Sequence, residues 1–341
     1  MPTAKELPAC GRLDRFPRTP SDPMPTAHLS SESITLGVAA GLAAALASAV
    51  SYLVSRHHGN RAGGGSTRLL VLGHAVMGLA CLPAGWWLAP AEWPASGGWL
   101  GPLAGSVGCY LAGQAAVFAA LKQTAASRIA PLLGLKLVML ATLVSFLPGD
   151  GLDGRQWLAV AVSVGAAGLL LRGGALPPAA LAAVLAACLG FAVSDLCIVA
   201  LIDALQPAAT HSGLPMSRLQ AGTLAMAVTY VACGAVAAVA LAIEPGIRPR
   251  DRQDVIAAAQ YAAAWLGSMV ALYACFGLIG AVFGNVLQAT RGVMAIAIGA
   301  LLARAGWHDL EERVDRATFL RRLAAAGLMV FAILLYAVDV R

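Results

Sequence analysis

"YLAGQAAVFAALKQTAASRIAPLLGLKLVM", Tyr110 to Met139, and "WLGSMVALYACFGLIGAVFGNVLQATRGVM", Trp265 to Met294, align without a gap when the chain is shifted by 155 residues. The polar exceptions coincide. Lys136 falls on Arg291, each followed one residue later by Val-Met, and Phe118 falls on Tyr273, each followed by Ala. A second, shorter echo joins "AVSYL" at Ala49 to "AVSDL" at Ala192. Two matches in the same order, at similar separations, indicate that one structural unit occurs twice.

Composition says what solvent these units meet. Apolar residues make up 59% of the chain and charged residues 12%, and the mean hydropathy is +0.76. Such values lie outside the range of water-soluble domains and indicate an integral membrane protein. Apolar runs long enough to cross about 30 Å of hydrocarbon fall at 34–54, 69–89, 100–121, 129–148, 156–172, 179–201, 219–242, 256–281, 284–304 and 319–337. They are rich in Ala, Leu, Gly and Val and lack the alternation of a barrel strand, so helices satisfy the backbone in lipid. The expected fold is an all-α, polytopic membrane bundle of ten transmembrane helices. Five spans are an odd number, so the second copy must enter the membrane upside down relative to the first, the inverted-repeat plan of secondary transporters. The expected division is a disordered tail over 1–33, a first five-helix repeat over 34–174 and a second over 175–341.

Smaller signals agree. Trp86, Trp87, Trp93, Trp99, Trp157 and Trp307 fall at or near span ends, where an amphipathic indole favours the headgroup region. Gly37 with Gly41 and Gly280 with Gly284 stand four residues apart, a spacing that lets helices approach closely. The tail carries Lys5, Arg12, Arg15 and Arg18, but no apolar core follows before Ile34, so it does not read as a signal peptide. The seven cysteines form no CxxC pair and read as small apolar residues, and His57 and His58 lack a third ligand nearby. No cofactor, metal or nucleic-acid partner is expected. The partners are a small-molecule solute and the bilayer.

The stretch "AALKQTAASRIAPLLGLKLVMLATLVSFLPGDGLDGRQWLAVAVSVGAAGLLL", Ala119 to Leu171, resembles the EamA-type, ten-helix branch of the drug/metabolite transporter superfamily. It has a short turn between the third and fourth helices, a proline in the fourth, an acidic break and a fifth helix of small residues. The resemblance extends over 34–341 and implies a ten-helix fold and transport of a small organic solute across the plasma (inner) membrane. The second half departs from the pattern: its ninth span has no proline, and "RAGWHDLEERVDRATFLRR" lengthens the connection before the tenth.

Two cations at the bilayer midplane cost roughly 5–7 kcal/mol together on insertion scales, so Lys136 and Arg291 require compensation. Asp195 is the only carboxylate well inside a span. Three readings stay open: one buried ion pair beside a snorkelled or carbonyl-bonded cation, a cavity between the halves that attracts an anion, or spans misplaced so that one cation is interfacial. In the second reading the substrate-binding residues are Lys136, Arg291, Gln288, Asn285, Gln114 and Tyr273, with Asp195 as the coupling residue. Asn285, Gln288 and Arg291 recur at three-residue spacing and share one side of a helix. His74, Tyr52, Ser194 and Gln260 are further polar groups within spans. Burial and a neighbouring cation pull the proton affinity of Asp195 in opposite senses. The small multidrug branch of the same superfamily carries proton coupling on a first-helix carboxylate, and Asp195 is in the first helix of the second repeat.

No GxxxxGK[ST] loop is present, so transport is expected to be gradient-driven or facilitative. HExxH, DxD and a GxSG with a partnered histidine are also missing, which argues against an enzyme. A structural or sensory membrane protein without flux is the alternative. Fourteen basic residues lie in the odd-numbered connections against Arg155 and Arg218 in the even-numbered ones. Positive-inside logic therefore places the odd connections in the cytoplasm and both termini outside, whereas the resembled family keeps its termini inside.

Overall fold

A computed structural model describes residues 31–59, 65–94, 97–145, 154–171, 176–208, 210, 216–279, 284–285, 287–288, 290–307 and 315–337. Residues 1–30, which hold most of the expected tail, lie outside the described residues. Among the described residues all regular structure is helical. The helices are α1 (Ser31–Gly59), α2 (Gly65–Trp87), α3 (Leu100–Leu121), α4 (Ala126–Leu132), α5 (Leu135–Ser145), α6 (Gly154–Leu171), α7 (Pro178–Leu205), α8 (Arg218–Ile243), α9 (Arg252–Ile279), α10 (Arg291–Arg304) and α11 (Arg316–Ala337). Six of them, α1, α2, α3, α7, α8 and α9, are long and apolar enough to cross a membrane. The protein is a polytopic helical membrane protein. Its surface fits that solvent: Leu36, Leu46, Leu79, Val236, Val239 and Ile243 point outward, and apolar surface facing lipid carries no hydration cost.

The clearest departures from the expected spans are at α1, the fourth run and the ninth. α1 starts at Ser31, three residues inside the stretch read as tail. The fourth apolar run, read as one span over 129–148, is broken at Leu133–Gly134 into α4 and α5. Pro131 has no N–H to donate within the helix, and the backbone tightens after it, with Gly134 N donating to Pro131 O at 3.0 Å and Lys136 N to Leu133 O at 3.2 Å. The other half has a similar interruption without a proline. Gly284, Asn285, Leu287 and Gln288 are helical, Thr290 forms a turn, and α10 begins at Arg291. Gly306 then closes α10 in the left-handed region, φ 93°, where a side chain would be strained.

Packing follows a definite pairing. α1 lies against α9, α3 against α7, α2 against α8, α4 against α10, and α6 against α11. The closest crossing is α2 with α8. A Cβ on Gly78 would stand 2.6 Å from the Gly234 Cα, and one on Gly234 2.7 Å from the Gly78 Cα. α3 and α7 meet almost as tightly, where a Cβ on Gly190 would stand 2.8 Å from the Cys109 carbonyl. Gly41 packs beneath Leu287 and Gly284 beneath Phe276, so one glycine of each four-residue pair lies at a helix contact.

At one end of the bundle the basic residues collect. The Arg56 guanidinium donates to the Leu121 carbonyl, and Arg322 donates to the Ser127 hydroxyl at 3.3 Å. Arg68, buried at the start of α2, pairs with Asp254 of α9 at 3.4 Å and donates to the Gly246 carbonyl at 3.1 Å. These bonds tie α1 to α3, α11 to α4, and α2 to α9 at that end. At the opposite end Trp86, Trp87 and Trp157 are exposed and the surface pair Arg218–Asp203 joins α7 to α8.

Candidate solute cavity

The broken fourth run and the interrupted ninth deliver their cations to one place. Lys136 is the second residue of α5 and Arg291 the first of α10, so each stands where a helix begins and backbone dipoles already give a partial positive charge. A cation there is doubly disfavoured unless an anion offsets it. For Lys136 the anion is Asp195 of α7, Nζ to Oδ2 2.7 Å, and Nζ also donates to Asn285 Oδ1 at 3.0 Å. Arg291 has no carboxylate among the described residues. It is 5% exposed, its Nη2 makes a long 3.5 Å bond to the Leu133 carbonyl, its Nε has no partner among the described residues, and its Cζ stands 6.0 Å from the centre of the Tyr52 ring.

Both cations line one cavity, whose non-atom space, counted out into the open mouth, is about 600 Å³. Lys136, Asp195 and Arg291 are its charged lining. Ser194, Thr229, Gln288, Tyr110, Tyr230 and Tyr273 are its uncharged polar residues, and the remainder is aromatic or aliphatic, including Phe191, Trp265 and Phe276. Ile198 and Phe276, also in the wall, lie past the midpoints of α7 and α9, toward the end away from the basic cluster.

The aromatic wall is fixed by its own bonds. Trp265 Nε1 donates to Tyr230 OH at 2.8 Å, Tyr230 meets Tyr110 edge to face at 5.6 Å, and Tyr110 OH bonds both Gln114 Nε2 at 3.2 Å and His74 Nε2 at 3.0 Å. A rigid wall of this kind holds a flat apolar body at small conformational cost. On the other side Gln288 Nε2 donates to Ser48 Oγ at 2.8 Å, and Ser48 meets Ser268 at 2.6 Å.

Of the seven residues singled out in the sequence, Lys136, Arg291, Gln288, Tyr273 and Asp195 line the cavity. Asn285 stands behind it on Lys136, and Gln114 stands behind it on Tyr110. His74 and Tyr52 are buried one contact further back, and Gln260 bonds His58 near the basic end, away from the cavity. Sequence reasoning did not single out the wall residues Tyr110, Tyr230, Trp265 and Phe191. Two of them were signalled: Tyr110 and Trp265 open the two aligned segments and so coincide in the shift.

The comparisons with known proteins agree with this architecture. The model of the EamA-like transporter family matches residues 35–172. A solved structure described only as "Crystal structure of protein" is similar over 90% of this chain and 99% of its own, at 18% identity and a TM-score of 0.52. At that identity the likeness concerns the fold alone. Among curated proteins none matches. Residues 35–172 thus match the EamA-like transporter family, a match consistent with a membrane transporter of the drug/metabolite transporter superfamily.

Proposed function

We propose that the chain is a secondary transporter, gradient-driven or facilitative, that carries a small organic anion or zwitterion by alternating access between two inverted five-helix halves, 34–174 and 175–341. Ten crossings result if α4 and α5 together make the fourth and the residues from 284 to 304 the ninth. The helix pairing supports the repeat. Exchanging the halves turns the α1–α9 contact into α7–α3 and returns α2–α8, α4–α10 and α6–α11 to themselves. A bundle with a pseudo-two-fold axis in the membrane plane has this property. Gly78 and Gly234 face each other where that axis would pass between α2 and α8.

The observation that carries the functional reading is the pair of equivalent cations at two helix starts on one aromatic cavity, with one carboxylate, paired to Lys136, in its lining. An aromatic body with a negative group fits such walls. Asp195 is the coupling residue in this reading: taking up a proton would release Lys136 and alter the charge that the solute meets. The basic end is the cytoplasmic side by the positive-inside rule, and the bonds of Arg56, Arg68 and Arg322 close it in this state.

The test is counterflow into proteoliposomes with carboxylate, zwitterionic and quaternary-ammonium solutes in parallel, with and without an imposed pH gradient. Flux of carboxylates or zwitterions is expected. Flux confined to cationic solutes overturns the charge argument, and a rate indifferent to the pH gradient removes the coupling role of Asp195.

A further inference from the structure

The two cations are equivalent in sequence but not in their partners. "AVSDL" supplies Asp195 to Lys136, and at the same place "AVSYL" supplies Tyr52 to Arg291. The contacts obey the exchange of halves: α7 serves the cation of α5, and α1 serves the cation of α10. A carboxylate cancels a positive charge. An aromatic ring attracts a cation through its quadrupole and leaves the monopole intact. The charged lining therefore sums to one positive unit, Lys136 and Arg291 against Asp195.

We propose that Tyr52 and Asp195 together set the number of negative charges that the cavity accepts, and that this number is one. The proposal rests on the anion-cavity reading above. Arg291 receives the solute's single anionic group, since it is nine-tenths buried, lines the cavity and has Nε without a partner among the described residues. Lys136 is committed to Asp195 and Asn285. A second carboxylate on the solute would lose its water without gaining a cation, which is how a site rejects a ligand by leaving charge unpaired. Tyr52 acts through Arg291 and is a positioning residue. It is fully buried, and its hydroxyl has no hydrogen-bond partner among the described residues, so the ring face rather than the phenol oxygen is the functional part.

The experiment measures binding to the purified full chain in detergent, by calorimetry, of benzoate, terephthalate and benzamide. These probes share the flat body that the walls fit and carry one, two and no negative charges. Benzoate is expected to bind at least tenfold more tightly than terephthalate. Y52F keeps that ratio and binds benzoate within about threefold of the parent. Y52D cancels the Arg291 charge, so benzoate weakens at least tenfold while benzamide does not. D195N frees Lys136, and the preference turns to terephthalate. Equal binding of benzoate and terephthalate by the parent chain overturns the proposal, as does undiminished benzoate binding by Y52D. Absence of benzoate binding by the parent overturns it too. Should D195N fail to fold, the parent ratio with Y52F and Y52D still decides. The transporter reading fails by a different result, the absence of anion flux in proteoliposomes, whatever the binding ratio.

Discussion

Lys136 and Arg291 occupy matching places in the two halves, each at the start of a helix that follows a break, yet their surroundings differ in kind. Lys136 is held by a carboxylate and an amide at 2.7 and 3.0 Å. Arg291 has an aromatic ring at 6.0 Å and one long carbonyl bond. The first arrangement is a structural clamp between α5 and α7. The second is a buried charge whose Nε–H has no partner among the described residues, as the solute site proposed above requires. In the proposed repeat the same geometry occurs twice, and the difference of Tyr52 against Asp195 would divide the labour.

The comparison breaks most visibly at the clamp. Lys136→Met leaves Asp195, whose side chain is 19% exposed, without its cation and is expected to cost at most about 3 kcal/mol of stability, the lower end of the scale for a fully buried pair, read as a fall in melting temperature in detergent. Adding Asp195→Asn should restore most of that loss, because the uncompensated charge is then gone. A double variant as unstable as the single one would mean that the clamp is not what holds α5 to α7.

Arg291→Met should behave in the opposite way. Folded yield and melting temperature hold or rise, since a buried cation without an anion is removed. Uptake of an anionic solute falls by about two orders of magnitude, the scale of about 2–5 kcal/mol for losing one partner of a buried charged contact. Unchanged uptake would take the solute away from Arg291 altogether.

Where the halves are alike, matched substitutions should give matched effects. Gly78→Ala and Gly234→Ala each place a methyl carbon under 3 Å from the opposing Cα, and overpacking of this kind costs about 1–3 kcal/mol. Equal losses sharpen the pseudo-symmetry of the α2–α8 crossing. A loss at one glycine alone breaks it.

The smallest effect lies outside the membrane, where the halves need not match. Asp315 precedes α11 and accepts from the Thr318 and Ala317 amides at 3.2 and 3.1 Å. Bonds from Thr318, side chain first and then backbone, hold its carboxyl below the ordinary carboxylate value. A depressed value means that the contribution is complete above the unfolded pKa of about 4 and is lost as pH falls through the folded value. Asp315→Ala should lower the melting temperature slightly at pH 7 and by less near pH 2.5. An equal gap at both pH values would assign the effect to something other than the carboxylate.

Much of this was legible in the chain. Hydropathy located the apolar runs, each of which overlaps a helix, and the shift of 155 residues singled out Lys136 and Arg291 and thereby the cavity. The scarcity of carboxylates within spans singled out Asp195. The break at Leu133–Gly134 was not read, because Pro131 sits in an unbroken apolar run and hydropathy does not sense a missing hydrogen-bond donor. The aromatic wall escaped because which side of a helix faces a cavity is set by close crossings such as Gly78 on Gly234. Those depend on the absence of a side chain in two distant places at once, which no local window registers. Tyr52 was visible only as one polar residue among several until its ring was found beneath Arg291.

The clamp also has a consequence for the order of biogenesis. Asp195 is made 59 residues after Lys136, and at about 5–20 residues per second the cation precedes its carboxylate by several seconds. During that interval α5 carries an uncompensated ammonium and must wait with Lys136 reaching toward water, entering its final depth only when α7 arrives. Nascent chains halted before and after α7 has joined the membrane would report this directly: a water-borne amine reagent should reach Lys136 in the first and be excluded in the second. Protection already complete in the shorter chain would mean that the first half buries its cation unaided. Exclusion only after α7 has joined would mean that the N-terminal half finishes its insertion with the help of the half that follows it.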